Sequence, residues 1–408
     1  MKILYTDAYL HSLNPTNTLM SNLVAAAVDD IRFYGPGFVS ESALASGLLR
    51  FIDHTGPYDA LVLGPNVPLF ARTPGDVLAA ANYAKRYTAL SSPIQELVKY
   101  YDDVLAAVPT AAVPLRFACL VTLDYYGCSQ SHIDRIKQFD LHVIAPNGAF
   151  STLLENQPEW VKQEAHFVRK KHLLSNAWTD FVTQNPERVL TALHFVSDSE
   201  FSFRGLAERS AYVSIPGVEY VLRNQAVAAL KAAGIKYSTK GFFNTFRLAN
   251  RLGLPVFSRF TPLKLFNILF FNDLMDTRCV YTARGGYGTP IRKFFEIPAA
   301  GALMICSPPI GFSLLGFKDG EHYVSADPEQ LPQVLKELEA DPDRAQAIAS
   351  AGRRLVFEKH SLRARAAQLR SCFDAVRQGQ YKGATWNDGI FNLITTTPKN
   401  ESASKPAS

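Results

Sequence analysis

A short segment in the last third of the chain combines charges and small residues in a pattern that suits an anionic ligand. Arg292 and Lys293 precede Glu296 by one helical turn or less, and an alanine-rich stretch follows up to Gly301. A carboxylate accepts hydrogen bonds from ribose hydroxyls, cations neutralise a diphosphate, and small residues let a ligand approach the backbone. The segment therefore indicates a site for a sugar nucleotide. The alternative is an ordinary amphipathic helix with a surface Arg-Lys pair.

Two glycine-containing turns extend this pattern. Gly217 follows a strand-like run and precedes a helical run that carries Arg223, so backbone amides and a cation are expected to meet an anion there. The loop at 285–288 reads Gly-Gly-Tyr-Gly, and we include Tyr287 and Gly288 among the ligand-binding candidates. The alternative at Gly217 is a plain strand-to-helix turn with an arginine on the surface.

The elements that would position these residues alternate between strand-like and helix-like runs. Continuous β-rich runs separated by helices predict parallel strands that are covered on both faces. Ser40 is predicted to cap a helix that extends to Asp53. The strand-like runs of the first half are Ile3–Thr6, Asp30–Tyr34, Asp59–Gly64, Leu115–Leu123 and Phe139–Pro146.

The alternation restarts after Leu193, which predicts a second unit of the same kind. The fold class is therefore α/β, with two doubly wound, Rossmann-like domains that face a cleft and bind ligands at the carboxyl ends of their strands. The strand-like runs of the second half are Ala211–Ile215, Cys279–Tyr281, Ala302–Cys306 and His322–Val324, and its helical runs are Val221–Ala233, Leu331–Glu339 and Asp343–Val356.

Composition restricts the partners. The 408 residues are 47% hydrophobic and 19% charged, which is typical of a soluble globular chain with ample core. Between Glu219 and Asp273 the chain holds eight cations and no acidic residue. This stretch favours phosphates, an anionic glycan or an anionic membrane surface, although a solvated basic face is the alternative. Nucleic acid is not expected, because the aromatic residues of the stretch follow core-like patterns.

Taken in order, these elements resemble the donor-binding domain of GT-B glycosyltransferases, and among them the CgeB-like (spore-maturation) glycosyltransferases. The resemblance is close over residues 190–375 and looser over the N-terminal half. The matching segments are Tyr212–Gly217, Tyr220–Arg223, Leu265–Asn267, Arg278–Tyr281 and Arg292–Gly301.

The resemblance implies an enzyme that moves a sugar from a nucleotide-sugar donor to a glycan, lipid or protein acceptor. The donor would be a substrate, so no separate cofactor is expected. Residues 1–195 would form the acceptor-side domain and residues 196–375 the donor domain. Residues 376–394 are expected to return to the first domain, and residues 395–408 to form a disordered tail.

The chain departs from the GT-B pattern at one position. Related enzymes often carry a Glu-x7-Glu pair, in which the second glutamate holds the ribose. Glu296 matches the second position, but Gly288 occupies the first. The missing carboxylate leaves recognition of the sugar hydroxyls unexplained and argues against an ordinary retaining mechanism.

Asp124 is the predicted catalytic base. It follows the strand-like run that ends at Leu123, where a carboxylate facing a crevice could take a proton from an attacking hydroxyl. CgeB-like sequences tend to have an aspartate at this location, and a capping role in a turn is the alternative. Asp7 ends the first strand in a similar way. Further candidates are His11, His132 and His194.

No essential metal is expected. The acidic pairs Asp198–Glu200 and Asp341–Asp343 do not follow buried strands, as a metal-binding Asp-x-Asp motif would. The five cysteines are scattered and odd in number, which predicts free thiols. Because the chain opens on a strand and lacks a membrane-length apolar run, we expect a cytoplasmic protein, located at the inner face of the cell membrane if its basic stretch meets anionic lipid.

Two other functions stay open at this point. A sugar-nucleotide epimerase of the same fold would need acid and base residues on both faces of its crevice. A non-catalytic module that binds a glycan or a nucleotide is the second alternative, and the absent carboxylate at position 288 favours it.

Overall fold

The computed structural model describes residues 1–8, 15–86, 93–121, 124, 127–146, 175–217, 221–238, 269–284 and 288–396. Within these residues the chain forms two parallel β-sheets and one antiparallel hairpin. Helices accompany both parallel sheets, and buried apolar clusters lie on both faces of each sheet. The predicted α/β class with two Rossmann-like domains is therefore confirmed.

The first sheet has six parallel strands in the order β2-β1-β3-β4-β5-β6. The order reverses between β1 and β3, because β2 pairs on one side of β1 and β3 on the other. Thr6 ends β1 opposite Tyr34 of β2 and Leu63 of β3. The strands are β1 (Lys2–Thr6), β2 (Asp30–Tyr34), β3 (Ala60–Leu63), β4 (Leu115–Cys119), β5 (His142–Ala145) and β6 (Val189–Thr191).

The helices of this half connect the strands. The single helix predicted from Ser40 to Asp53 is two helices, because Gly47 interrupts it with a φ of +85°. Ser40 caps the first of them as predicted, since its side chain accepts a hydrogen bond from the Ala43 amide. The helices are α1 (Pro15–Ala27), α2 (Glu41–Ser46), α3 (Leu48–Thr55), α4 (Pro74–Arg86), α5 (Ile94–Ala107), α6 (Gln130–Gln138) and α7 (Asn176–Gln184).

The second sheet has four parallel strands in the order β10-β9-β8-β7. Ser238 forms a parallel bridge to Ser214 of β7. Because β8 pairs with β7 as well, the chain passes from one side of β7 to the other, and the strand order reverses there. The strands are β7 (Ala211–Ser214), β8 (Thr277–Ala283), β9 (Leu303–Ser307) and β10 (Val324–Ser325).

The structure describes five further helices in the second half of the chain. A helical stretch over residues 269–276 also leads directly into β8. The five helices are α8 (Val221–Ala232), α9 (Lys293–Ala299), α10 (Leu331–Ala340), α11 (Pro342–His360) and α12 (Leu362–Arg377).

The last helix packs against the first sheet. Phe373 of α12 contacts Phe117 of β4, with ring centroids 4.9 Å apart. The predicted boundary at residue 375 places α12 with the second domain, but its buried face joins the apolar cluster of the first. A hairpin of β11 (Tyr381–Asn387) and β12 (Ile390–Thr395) follows and was not predicted.

The hairpin touches both domains. The Tyr381 hydroxyl donates to the carbonyl of Val189 in β6 at 2.8 Å, whereas Trp386 packs in an apolar cluster of the second domain. The return of residues 376–394 to the first domain therefore describes only one side of the hairpin. The tail beyond Thr396 lies outside the described residues.

The chain crosses between the domains at two adjacent places. The Val196 amide donates to the carbonyl of His360, and the Leu362 amide donates to the carbonyl of Val196 at 2.8 Å. Residues 192–200, which we call the connector, thus lie beside the junction of α11 and α12. All five cysteines are buried and free, as predicted. Among the described helices, none is long and apolar enough to cross a membrane.

We predict that Phe373→Ala lowers the free energy of unfolding by about 3–5 kcal/mol, because it leaves a cavity between α12 and the first sheet. Chemical denaturation monitored by circular dichroism measures this change. Ser371→Ala, on the exposed side of the same helix, is the matched control and should unfold close to the parent protein. Equal stability of the two variants would contradict the packing of α12 on the first domain.

Candidate functional site

Two cations converge on the turn that follows β7. Gly217 adopts a φ of +105°, a conformation that favours glycine. The Lys293 ammonium donates to the carbonyl of Pro216 at 2.9 Å. A Cβ atom added at Gly217 would lie 1.8 Å from Lys293 Nζ and 3.0 Å from Arg223 Nη1. The turn therefore places bare backbone beside two positive side chains, at the point where the strand order reverses.

Arg223 is held in place by a hydrogen bond to the neighbouring strand β8. It lies in the first turn of α8 and is buried, and its Nη2 donates to Thr282 Oγ1 of β8 at 3.1 Å. The guanidinium is thus fixed by the neighbouring strand and points toward Gly217.

Lys293 sits in a setting that weakens its charge. Burial lowers the pKa of its ammonium to about 7, with Arg223 acting in the same direction and Glu296 opposing it. The ammonium also lies 5.2 Å from the centre of the Phe270 ring. An anion bound at the Gly217 turn would favour the charged form of Lys293, so the ligand and the proton would bind together.

Arg292 forms a buried charge cluster with two carboxylates. Its Nη1 donates to Glu296 Oε1, one turn further along α9, and its Nη2 donates to Glu200 Oε1 of the connector. The second oxygen of Glu200 accepts a hydrogen bond from the Ser197 amide at 2.6 Å. We call Glu200, Arg292 and Glu296 the charge triad. It ties the helix that carries Glu296 to the connector between the domains.

The pKa values of Arg292 and Glu200 follow from this geometry. Burial acts against the charged form of Arg292, but Glu296 and Glu200 outweigh it and hold the pKa of the guanidinium above its ordinary value. Burial raises the pKa of the Glu200 carboxyl, and Arg292 opposes that change. The guanidinium is therefore charged, and it lies between the Glu200 and Glu296 side chains.

The sequence-predicted site residues are thus brought into two adjacent groups. The first group is the turn after β7, where Lys293 and Arg223 lie beside Gly217. Arg292 belongs to the second group, because it pairs with Glu296 and does not contribute its charge to that turn. Gly288 has a φ of +67° and its carbonyl accepts the Ile310 amide at 2.9 Å. Tyr287 lies outside the described residues.

Glu200 was not predicted as a site residue. The sequence analysis considered it only as part of the acidic pair Asp198–Glu200, which does not follow a buried strand. One signal was available, because Ser197 and Glu200 form a capping box that both side chains complete. That motif predicts the local turn but gives no indication of Arg292, which is far away in the sequence.

Asp124 lies beyond the strand expected to carry it. β4 ends at Cys119, and the Asp124 carboxylate accepts a hydrogen bond from the Val121 amide at 2.7 Å. Burial raises the pKa of Asp124 to about 6, against the effect of that hydrogen bond. The Asp124 side chain thus bonds to the backbone of its own turn, three residues earlier. The role of Asp124 as a base stays a prediction.

Asp7 occupies the point where the strand order of the first sheet reverses. Its buried carboxylate accepts hydrogen bonds from the Ala8 amide at 2.9 Å and from the amide and side chain of Asn66 at 3.2 and 3.0 Å. Burial outweighs these bonds and raises the pKa of Asp7 to about 8. A Cβ atom at Gly64 would lie 2.2 Å from Asp7 Oδ2, so glycine is needed beside it.

Two of the three candidate histidines are described by the structure. His11 lies outside the described residues. His132 completes a capping box with Ser129 and stacks on Phe70. Burial, with Arg292 and Arg365, lowers the pKa of His194 to about 3, so this histidine is neutral at physiological pH. Within the described ranges, no group of three His, Cys, Asp or Glu side chains is arranged to hold a metal ion.

Part of the second domain matches a protein-family model. Residues 268–371 match the family model described as Glycosyl transferase-like. The matched stretch begins before β8, ends within α12 and contains Lys293 and the Arg292–Glu296 pair. It confirms the prediction of a glycosyltransferase at the level of this family description. No curated protein matches the chain at a significant level.

Solved structures with a similar arrangement include three from bacteria. A glycosyltransferase from Rickettsia africae ESF-5 is 12% identical, with 92% of this chain and 98% of that chain covered and a TM-score of 0.49. Anabaena HepE in complex with UDP and glucose is 11% identical, with 92% and 100% covered and a TM-score of 0.47. Sucrose-phosphate synthase from Thermosynechococcus elongatus is 10% identical, with 93% and 100% covered and a TM-score of 0.47. At this level the similarity does not extend to ligand or activity.

The raised pKa of Asp7 predicts a specific pH dependence of stability. The folded protein holds the Asp7 proton more tightly than the unfolded chain, whose pKa is near the ordinary 3.8. This contribution to stability is complete below about pH 4 and is lost as the pH rises through about 8. Asp7→Asn removes it, so the free energy of unfolding of the parent protein should fall relative to the variant between these pH values. Parallel pH profiles in urea denaturation would contradict a buried, protonated Asp7.

Proposed function

We propose that the protein transfers a sugar from a nucleotide-sugar donor and that the donor diphosphate binds at the Gly217 turn. The observation that carries this proposal is the convergence of Lys293 and Arg223 on bare backbone at the reversal point of the second sheet. Sheets of this kind bind ligands at that point, outside the carboxyl ends of their strands. The family match over the same domain supports the assignment.

The spacing along α9 suits one nucleotide. Lys293 and Glu296 are three residues apart, so their side chains lie on one face of the helix, with Cβ atoms about 5–6 Å apart. A nucleotide diphosphate that places its phosphates at Lys293 would bring its ribose toward Glu296. The carboxylate would then accept hydrogen bonds from the ribose hydroxyls, as the resemblance implies.

The cations also suit the chemistry of transfer. The bond between the anomeric carbon of the sugar and the phosphate oxygen breaks, the acceptor oxygen bonds to that carbon, and the acceptor proton leaves to a base. Negative charge accumulates on the departing diphosphate as the sugar gains oxocarbenium character. Prepositioned cations stabilise that charge more in the transition state than in the ground state.

The acceptor is proposed only as a broad class of molecules. The acceptor is a glycan, a lipid or a protein, and it would bind on the first domain. Asp124 stays the predicted base, and independence from metals stays a prediction. The CgeB-like subgroup, a cytoplasmic location and contact with an anionic membrane are likewise predictions that rest on the sequence.

A screen of donors followed by product analysis tests the proposal. UDP-, GDP-, CMP- and dTDP-sugars are compared by thermal shift, since a ligand at about 100 times its Kd adds about 2.7 kcal/mol to stability. The stabilising donor is then incubated with candidate acceptors. We expect one of the three diphosphate donor classes to stabilise the protein and sugar to appear on an acceptor. Isomerised donor would indicate an epimerase, binding without turnover would indicate a binding module, and no binding would contradict the site.

We predict that Gly217→Ala weakens binding of the donor nucleotide by at least about 10-fold, the scale of one lost hydrogen bond to a charged group. The added methyl group would displace Lys293 from the turn. Gly234→Ala is the matched control, because Gly234 also has a positive φ but its Cβ position is open. Titration calorimetry measures both affinities. The site at the turn is wrong if the two variants bind equally well.

A further inference from the structure

The charge triad joins two parts of the chain that are far apart in sequence, and neither the family match nor the donor site explains why. Glu200 belongs to the connector, whereas Arg292 and Glu296 belong to the donor domain. We propose that Glu200 is a positioning residue, which holds Arg292 and thereby orients the Glu296 carboxylate toward the donor ribose. This inference rests on the proposed function, because it assumes that Glu296 contacts the ribose.

The charge balance of the triad supports this role. Two carboxylates share one guanidinium, so one negative charge remains beyond what Arg292 neutralises. Arg292 uses one Nη nitrogen for each carboxylate and bonds only Oε1 of Glu296. If Glu200 were absent, the planar fork of Arg292 could turn to pair with both oxygens of Glu296, which is its preferred geometry with a carboxylate. Glu200 thus keeps acceptor capacity on Glu296 for a ligand.

The burial of the triad makes the pairing matter. The side chains of Arg292, Glu200 and Glu296 are only 12%, 10% and 6% exposed. Water can therefore do little to replace a lost partner, and removing one member of a buried ion pair leaves the other uncompensated. The orientation of Glu296 depends on Glu200 through Arg292, although Glu200 need not touch the ligand.

Glu200 is itself held in place by hydrogen bonds. Glu200 Oε2 accepts the Ser197 amide, and the neighbouring Val196 is bonded on both sides to the junction of α11 and α12. Glu200 therefore presents its Oε1 from a segment whose backbone is hydrogen-bonded to the junction of α11 and α12. A carboxylate on a rigid segment can set the rotamer of Arg292, as a long side chain on a loose loop could not.

The test compares ribose with 2′-deoxyribose, a readout that general destabilisation does not move. The Kd values of UDP and dUDP, and of GDP and dGDP, are measured for the parent protein, Glu296→Gln, Glu200→Gln and Asp198→Asn. Asp198 lies in the same turn as Glu200 but is exposed and pairs with the exposed Arg363, so it serves as the control.

We expect the parent protein and Asp198→Asn to prefer the ribose form by about 10-fold or more, the scale of a hydrogen bond to a charged group. Glu296→Gln should lose the preference, and Glu200→Gln should reduce it to about threefold or less. Glu200→Asp, which keeps the charge but retracts the carboxylate, should reduce it as well and serves if Glu200→Gln does not fold.

The outcomes separate this inference from the function on which it rests. A ribose preference that survives in Glu200→Gln or Glu200→Asp, while Glu296→Gln loses it, overturns the positioning role alone. A parent protein that binds UDP or GDP without any ribose preference contradicts the contact between Glu296 and the ribose. A parent protein that binds none of these nucleotides and does not bind dTDP contradicts the proposed donor site.

Discussion

The pairing of Arg292 with two carboxylates constrains the rest of the candidate site. A guanidinium that is largely removed from water requires anionic partners, and Arg292 finds them on its own helix and on the connector. Successive residues of a helix differ by about 100° around its axis. Fixing Arg292 toward the connector therefore also fixes the direction of Lys293, which lies against the Gly217 turn. One buried contact thus orients both the carboxylate and the cation.

The two sheets carry different polar groups at their reversal points. The second sheet presents cations and bare backbone after β7, an arrangement that suits a ligand with a leaving phosphate. The first sheet presents Asp7, which hydrogen bonds from Asn66 and Ala8 enclose and which joins the ends of β1 and β3. The cations of the second sheet suit a negatively charged ligand. Asp7 stabilises the carboxyl edge of the first sheet, which would hold the acceptor.

Much of the architecture could be predicted because it depends on local patterns. β2 matches its predicted range, and the strands after Leu193 were found from apolar runs between helices. The end of β4 was not predicted correctly, because pairing with β5 stops at Cys119 although the apolar run continues. Asp124 therefore does not lie at the end of the strand. The hairpin of β11 and β12 also escaped detection, since its Tyr381 and Trp386 are buried only through contacts with β6 and with the core of the second domain.

The candidate site divides in the same way. Gly217, Arg223, Lys293 and Glu296 could be predicted as candidates because their chemistry lies within short segments of recognisable spacing. Glu200 was missed because its pairing with Arg292 spans 92 residues and exists only once the connector lies against α9. Arg292 was assigned to phosphate for the same reason, since no local pattern reveals that two carboxylates neutralise it.

A crystal structure with the nucleotide diphosphate that binds most tightly would test the central claim most directly. The account predicts that the diphosphate lies against the backbone of Gly217, within hydrogen-bonding distance of Lys293 Nζ, with the ribose facing Glu296. A nucleotide bound elsewhere, with the Gly217 turn unoccupied, would contradict it.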